Sequence, residues 1–218
     1  MATDQDDTGM DANSDTERAP IDAARPESVI STTGTDHVTL IGSNEEDTIS
    51  FYRDVLGMSL VLRQPNLDDP SSTHLFFDTG DGRIITFFVG DYSSDESPQR
   101  PGVGAVHHLA FSLDPESFVE AKESLREAGY RFSEFDRGAF HSLYTRDHNG
   151  LTIELATDKY EIPDDRRGEV LAAAHHNRVE RGAEYVDDED LEAALEGLDM
   201  PVERYELPDA ATGSAVDG

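Results

Sequence analysis

Two histidines and one glutamate hold matched places in a duplicated stretch of this 218-residue chain, and their types are those of a metal-ligand set. His37 opens the run HVTL, and His108 opens the run HLAF. Aligning the far ends of the two copies lays GDGRIITFF (80–88) on HNGLTIEL (148–155), with Gly82 on Gly150 and Thr86 on Glu154. Two imidazoles and one carboxylate fill one face of an octahedron and leave the remaining positions open, as in non-haem Fe(II) sites. Glu154 lies in the apolar run LTIELA, where an ionised carboxylate is costly unless paired or bound to a cation. Singly, each residue reads more simply as a strand glutamate or a capping or core histidine. Three matched positions in a repeated unit favour the metal. The chain has no cysteine, so thiolate sites and disulfides are excluded and any metal rests on histidine and carboxylate.

The elements that must position these residues come in the same order twice. Residues 36–41 (DHVTLI) alternate as a strand does. Residues 45–56 place Ile49, Tyr52 or Phe51, Val55 and Leu56 at helical spacing, and Gly57 follows as a stop. MSLVLRQ, THLFFDT and RIITFFV then read as three strands. In the second copy VHHLAFSL is a strand and 115–128 a helix with Pro115 in its first turn, ended by Gly129. Residues 130–135, 140–146 and 151–156 are three more strands. A single βαβββ unit leaves one sheet face bare. We therefore expect an α+β fold: two βαβββ modules forming a curved eight-stranded mixed sheet around a metal cleft, with the helices outside. By period-two alternation Thr152, Glu154 and Ala156 face that cleft. His37, His108 and Glu154 should converge there, faced by Thr86. Beyond them, 165–182 and 187–198 read as helices, the second capped by Asp187 or Asp188. His175 and His176 lie on the first and read as surface or packing residues.

The expected organisation is a disordered acidic N-terminal tail over 1–33, a paired βαβββ domain over 34–158 with modules about 34–92 and 103–158, a helical C-terminal extension over 159–207, and a disordered tail over 208–218. The tails carry too few large apolar residues to offset their chain entropy. Across the chain 47 acidic residues face 17 basic ones, a formal net charge of -30, and the only lysines are Lys122 and Lys159. Charge on that scale repels itself at low salt, so the composition predicts a halophilic protein working in a high-salt cytoplasm. It disfavours nucleic acid as a partner. No segment has the run of apolar residues that a membrane span needs, and the N-terminus lacks the basic start and apolar run of a signal peptide, so a cytoplasmic, soluble protein is expected.

The runs HVTL, SFYRDVLGM, GAVHHLAFSL and NGLTIELATD resemble the vicinal oxygen chelate superfamily, which includes glyoxalase I, extradiol ring-cleaving dioxygenases, methylmalonyl-CoA epimerase and fosfomycin-resistance proteins. The resemblance covers about residues 34–158. NLDDPSSTHLFFDTGDGRIITFF and HSLYTRDHNGLTIELATD are similar to the branch that opens catechols and hydroquinones. It implies His37, His108 and Glu154 as metal ligands. His107 is the rival of His108, but adjacent strand residues point to opposite faces and Leu-Ala-Phe after His108 matches Val-Thr-Leu after His37. Glyoxalase I and the epimerase usually place a fourth ligand where Thr86 stands, or less fittingly Phe87. Neither residue is a good ligand, which favours a three-ligand site.

The resemblance also implies catalytic roles. Extradiol enzymes carry a tyrosine ten residues before the carboxylate ligand, and Tyr144 stands ten before Glu154. Their acid–base histidine is not matched: Ile85 and Thr86 stand at one usual position and Phe135 at the other. His74 and His141 are the candidates to replace it. Phe76, Phe88 and Phe140 could wall the pocket. The expected activity is a metal-dependent extradiol-type dioxygenase cleaving a dihydroxylated aromatic with O2. Its metal would be Fe(II), with Mn(II), Ni(II) or Zn(II) as alternatives, and a homodimer is a possible assembly. The alternatives are a glyoxalase I-like lyase or isomerase and a metal-free small-molecule-binding protein.

Overall fold

The computed structural model describes residues 20–90 and 102–207. The tail expectations for 1–19 and 208–218 lie outside the described residues, while 20–33 are exposed and carry no helix or strand. Each module has the expected order. The first comprises β1 (His37–Gly42), α1 (Glu45–Ile49, continued by a π turn over Ser50–Val55), β2 (Ser59–Pro65), β3 (Thr73–Asp78) and β4 (Ile84–Val89). The second comprises β5 (His108–Ser112), α2 (Pro115–Glu127), β6 (Ser133–Asp136), β7 (Phe140–Arg146) and β8 (Thr152–Asp158). Both helices start on an acceptor side chain: Asn44 takes the Asp47 N–H and Asp114 takes the Ser117 N–H. Both are followed by a glycine in the left-handed region, Gly57 at φ 76° and Gly129 at φ 82°.

All eight strands are present and the class is α+β. They are divided four and four, in the orders β1-β4-β3-β2 and β5-β8-β7-β6, with the first strand parallel to its neighbour and the others antiparallel. The registers repeat between modules. Thr39 pairs with Thr86 two residues after His37↔Ile84, and Ala110 pairs with Glu154 two residues after His108↔Thr152. The equivalence of Thr86 and Glu154 is thus a structural one.

The helix layer joins the modules. Leu75, Phe77, Ile85 and Phe87 from the first sheet share one core with Leu143, Ile153 and Leu155 from the second, around Phe51, Tyr52, Phe118 and Leu125 of the helical segments. Phe51 and Tyr52 are both buried because this layer has core on two sides. Tyr52 packs on Phe87 at 4.4 Å between ring centroids, and Phe51 reaches Tyr130 of the other module at 5.5 Å. The Tyr52 hydroxyl donates to Asp147 at 3.0 Å, and Ser43 N–H donates to Asn149 at 3.0 Å. Since the helix-bearing faces meet, the faces opposite them turn away from the shared core.

The C-terminal extension forms α3 (Arg167–Arg181) and α4 (Asp188–Gly197), the latter with Asp187 in a capping box. These helices pack a second core of Val170, Ala174, Leu191, Ala194 and Leu195 around Tyr160. The extension rests on the β6–β7 turn, where a Cβ on Gly138 would collide with the Val186 carbonyl oxygen. Lys159 adds ion pairs to Asp136 at 2.9 Å and Asp188 at 2.5 Å. Among the described residues no helix is long and apolar enough to cross a membrane.

Candidate active site

The outer face of the second sheet gathers three of the predicted residues, His108, Glu154 and Tyr144. Alternation along β8 turns Glu154 outward, and the ladders set it opposite Ala110 on one side and Tyr144 on the other. The residue is only 3% exposed, yet its carboxylate is fully engaged. Ser142 donates to Oε1 at 2.6 Å, Tyr144 donates to the same oxygen at 2.8 Å, and Oε2 lies 2.9 Å from His108 Nε2. These contacts answer the cost of placing a carboxylate inside a sheet. The His108 side chain is 35% exposed, so the histidine-carboxylate pair opens to the outer face. His107 sits behind it, with Nδ1 2.8 Å from His108 Nδ1. It is therefore His108 whose imidazole reaches Glu154.

Tyr144 connects this pair to a further group. Burial raises its phenol above the ordinary value, and the Glu154 hydrogen bond adds to that, while Arg137 opposes. Arg137, in the turn after β6, donates from Nε to the Tyr144 hydroxyl at 3.3 Å. Its guanidinium lies 4.5 Å from the centroid of the Phe135 ring and 5.1 Å from that of Tyr144. Sequence reasoning missed Arg137 altogether, because no local pattern tells where a turn side chain will lie. Ser142 had a usable signal, since it shares a strand face with Tyr144, but its bond to Glu154 depends on the register of β7 on β8.

His37 is not with them. It opens β1 on the outer face of the first sheet, its side chain 53% exposed and Nδ1 2.6 Å from Asp36. Among the described residues no three histidines or carboxylates come together closely enough to hold a metal. The expected convergence of His37 on His108 and Glu154 fails within this chain because the sheets meet through their helices, leaving the two outer faces apart. The donors at His108 and Glu154 do fit a divalent cation of intermediate hardness, one imidazole and one carboxylate at a partly open position.

His74 is on the outer face of the first sheet, paired in register with Phe88. Its ring packs on Phe76 and Phe88 at 4.0 and 4.4 Å, and its Nε2 is buried with no hydrogen-bond partner among the described residues. Burial lowers its pKa from the ordinary value, with His37 adding to the effect. His141 requires a correction. Alternation on β7 turns it to the helix-covered side, against Phe118 of α2 at 5.2 Å and Glu134 at 3.1 Å, and away from Glu154. Phe140 shares the outer face with Ser142 and Tyr144, as its pairing with Asp158 requires. Thr86 is fully buried and donates to Thr39 at 2.8 Å.

A cavity of about 540 Å³ opens between the modules, lined by Leu56, Met58, Phe111, Leu125 and Leu155 among others. Leu155 points to the opposite side of β8 from Glu154, so this cavity does not serve the site.

Residues 34–155 match the model of the Glyoxalase/Bleomycin resistance protein/Dioxygenase superfamily. A Bacillus subtilis (strain 168) protein provisionally named ring-cleaving dioxygenase MhqE is 33% identical over 130 residues, 58% of this chain and 42% of that one. MhqO of the same organism, with the same provisional name, is 42% identical over 57% of this chain and 40% of its own. Biphenyl-2,3-diol 1,2-dioxygenase 2 of Rhodococcus globerulus is 28% identical over 67% of this chain and 70% of that one. Among solved structures, a provisionally named dioxygenase from Bacillus subtilis superposes with a TM-score of 0.52 at 25% identity, over 59% of this chain and 42% of that one. The match spans less than half the length of the Bacillus subtilis relatives.

Proposed function

Since the chain belongs to the Glyoxalase/Bleomycin resistance protein/Dioxygenase superfamily, we propose that it is a metal-dependent extradiol-type dioxygenase. It would open the ring of a catechol or hydroquinone with O2, both oxygen atoms entering the product and no outside reductant being needed. The observation that carries this reading is Glu154: a buried carboxylate held by Ser142, Tyr144 and His108 on an outward sheet face. The names of the curated relatives support the reaction class.

His108 and Glu154 would hold the metal, with His37 as the third ligand and Fe(II) the first choice. Mn(II), Ni(II) and Zn(II) suit the same donors less specifically. Once bound, the metal would supply Lewis-acid and electron-transfer chemistry toward a hydroxyl oxygen of the substrate, or both of a catechol, and toward O2. The chain does the rest. The Tyr144 phenol, which burial raises further above its ordinary value, can donate a hydrogen bond to a substrate oxygen once Glu154 is engaged elsewhere. His74, its pKa lowered by burial, is the neutral imidazole suited to accept a diol proton. Phe76 and Phe88 flank it as apolar walls.

His37 and His74 stand on one outer face, and His108, Glu154 and Tyr144 on the other. We therefore place the active assembly in a homodimer in which the first sheet of one copy covers the second sheet of its partner. The edge strands β1 and β5 and the exposed Ile41 are free for such a contact among the described residues. The greater length of the Bacillus subtilis relatives is consistent with their holding more such modules in one chain.

Anaerobic purification in high salt, elemental analysis and an oxygen electrode with catechols and hydroquinones test the reading. About one Fe per site with oxygen uptake abolished in Glu154→Ala is expected. Bound Zn or Ni without oxygen uptake would move the chain to the glyoxalase-like lyases. Mixing inactive His37→Ala and Glu154→Ala chains and recovering metal in about a quarter to half of the sites would establish assembly across copies, since each mixed pair rebuilds one intact set.

A further inference from the structure

Most cations in the described structure are already matched to acids. Arg63 pairs with Glu45, Arg181 with Asp187 and Asp190, and Lys159 with Asp136 and Asp188. That is expected in a chain with 47 acidic residues. Arg137 differs. Its guanidinium lies over the rings of Phe135 and Tyr144, and among the described residues its single polar contact is from Nε to the Tyr144 hydroxyl. Among the described residues its two terminal nitrogens meet no acceptor and no carboxylate. They present a planar pair of donors, the shape that takes a carboxylate through two parallel bonds.

From this we infer that Arg137 is the specificity residue of the site and selects aromatic diols that carry a carboxylate on the ring. The proposal rests on the reading that the face of Glu154 and Tyr144 receives the diol. Tyr144 joins the two ends of the site, giving one hydrogen bond to Glu154 and receiving one from Arg137. A ring whose oxygens approach Glu154 and His108 therefore lies beside a cation on the Tyr144 side. A positive charge there offsets the repulsion that a strongly acidic chain exerts on an anionic substrate.

The fold also holds this cation in place, which gives the C-terminal extension a purpose. Arg137 N–H donates to Phe140 O at 2.9 Å, and Gly138 N–H donates to Asp136 Oδ1 at 2.8 Å, closing the turn. Lys159 clamps Asp136 to Asp188 of α4, and the Val186 carbonyl packs where a Gly138 side chain would be. The two helices thus fix the turn that aims Arg137.

The test uses the full metal-loaded chain at one fixed salt concentration, with paired substrates: hydroquinone against 2,5-dihydroxybenzoate and catechol against 2,3-dihydroxybenzoate. Wild type should favour the carboxylated member of at least one pair. Arg137→Met keeps the apolar stem over the rings and removes the charge. It should lower kcat/KM for that member by roughly 10- to 100-fold, mostly through KM, with the neutral diol changed by less than about threefold. Arg137→Lys should restore only part of the loss. Equal losses on neutral and carboxylated diols, or no preference in wild type, would overturn the assignment. In parallel, calorimetric titration of the metal-free chain with 4-hydroxybenzoate and with phenol reads the anion site without the reaction. An Arg137-dependent preference for the benzoate with no oxygen uptake on any diol would sink the dioxygenase reading and keep the anion site. Oxygen uptake with no such preference would do the reverse.

Discussion

The two modules share an order of elements, a ladder register and a glycine-ended helix, yet they treat one position oppositely. At Thr86 the first module buries a hydroxyl satisfied by its neighbour Thr39. At Glu154 the second buries a carboxylate satisfied by two donors from β7 and an imidazole from β5. The histidines follow suit: His37 is exposed and lies against Asp36, while His108 reaches its carboxylate. A duplicated scaffold can therefore be specialised by one buried charge, provided the strands beside it supply donors. In the first module the β3 residue in register with Thr86 is Phe76, which has no donor to offer a carboxylate.

Replacing the distinguishing residue should have the largest effect. Glu154→Ala is expected to bring metal content and oxygen uptake to background, whereas Thr86→Ala should leave metal content unchanged. Metal stripped by Thr86→Ala would break the equivalence of the two positions as drawn. Next, Tyr144→Phe should retain metal and lower kcat by about 10²-fold or more, read at saturating substrate. An unchanged kcat would confine Tyr144 to packing.

The seam between modules gives smaller effects. Tyr52→Phe removes a buried hydrogen bond to Asp147 and should cost about 1.5–3 kcal/mol in denaturant unfolding, with little change at the site. His148, at the same seam, has its pKa lowered chiefly by burial. A histidine held neutral in the fold binds its proton more readily when unfolded, so its contribution is present above about pH 6.5 and is lost as pH falls through its lower folded value. His148→Gln should flatten that acid limb by up to about 1.4 kcal/mol per pH unit, measured against wild type so that the many carboxylates cancel. The smallest expected change is the stability cost of Thr86→Ala, about 1 kcal/mol for the lost threonine pair.

Much of the module is legible because its signals are local. Alternation marks 36–41 and 140–146 as strands, helical spacing and Gly129 bound 115–128, and the internal match aligns Thr86 with Glu154. The ambiguity between Phe51 and Tyr52 has a tertiary answer, since both are buried in a layer with core on each side. His141 was a fair candidate by type, but only the phase of β7 shows it under α2. Arg137 left no trace in the pattern, because the β6–β7 turn is set by helices some fifty residues further on, through Lys159, Asp188 and Val186.

From residues alone one can establish that the chain holds two copies of a βαβββ unit, that each opens with a histidine, and that only the second carries a carboxylate. Periodicity is a property of neighbouring residues, and it survives wherever one face must be buried. Which faces of the two units meet is decided elsewhere. It depends on side chains far apart in the chain, such as Tyr52 and Asp147, finding each other in a shared core. That packing, through the helices, is what leaves His37 on one outer face and His108 and Glu154 on the other.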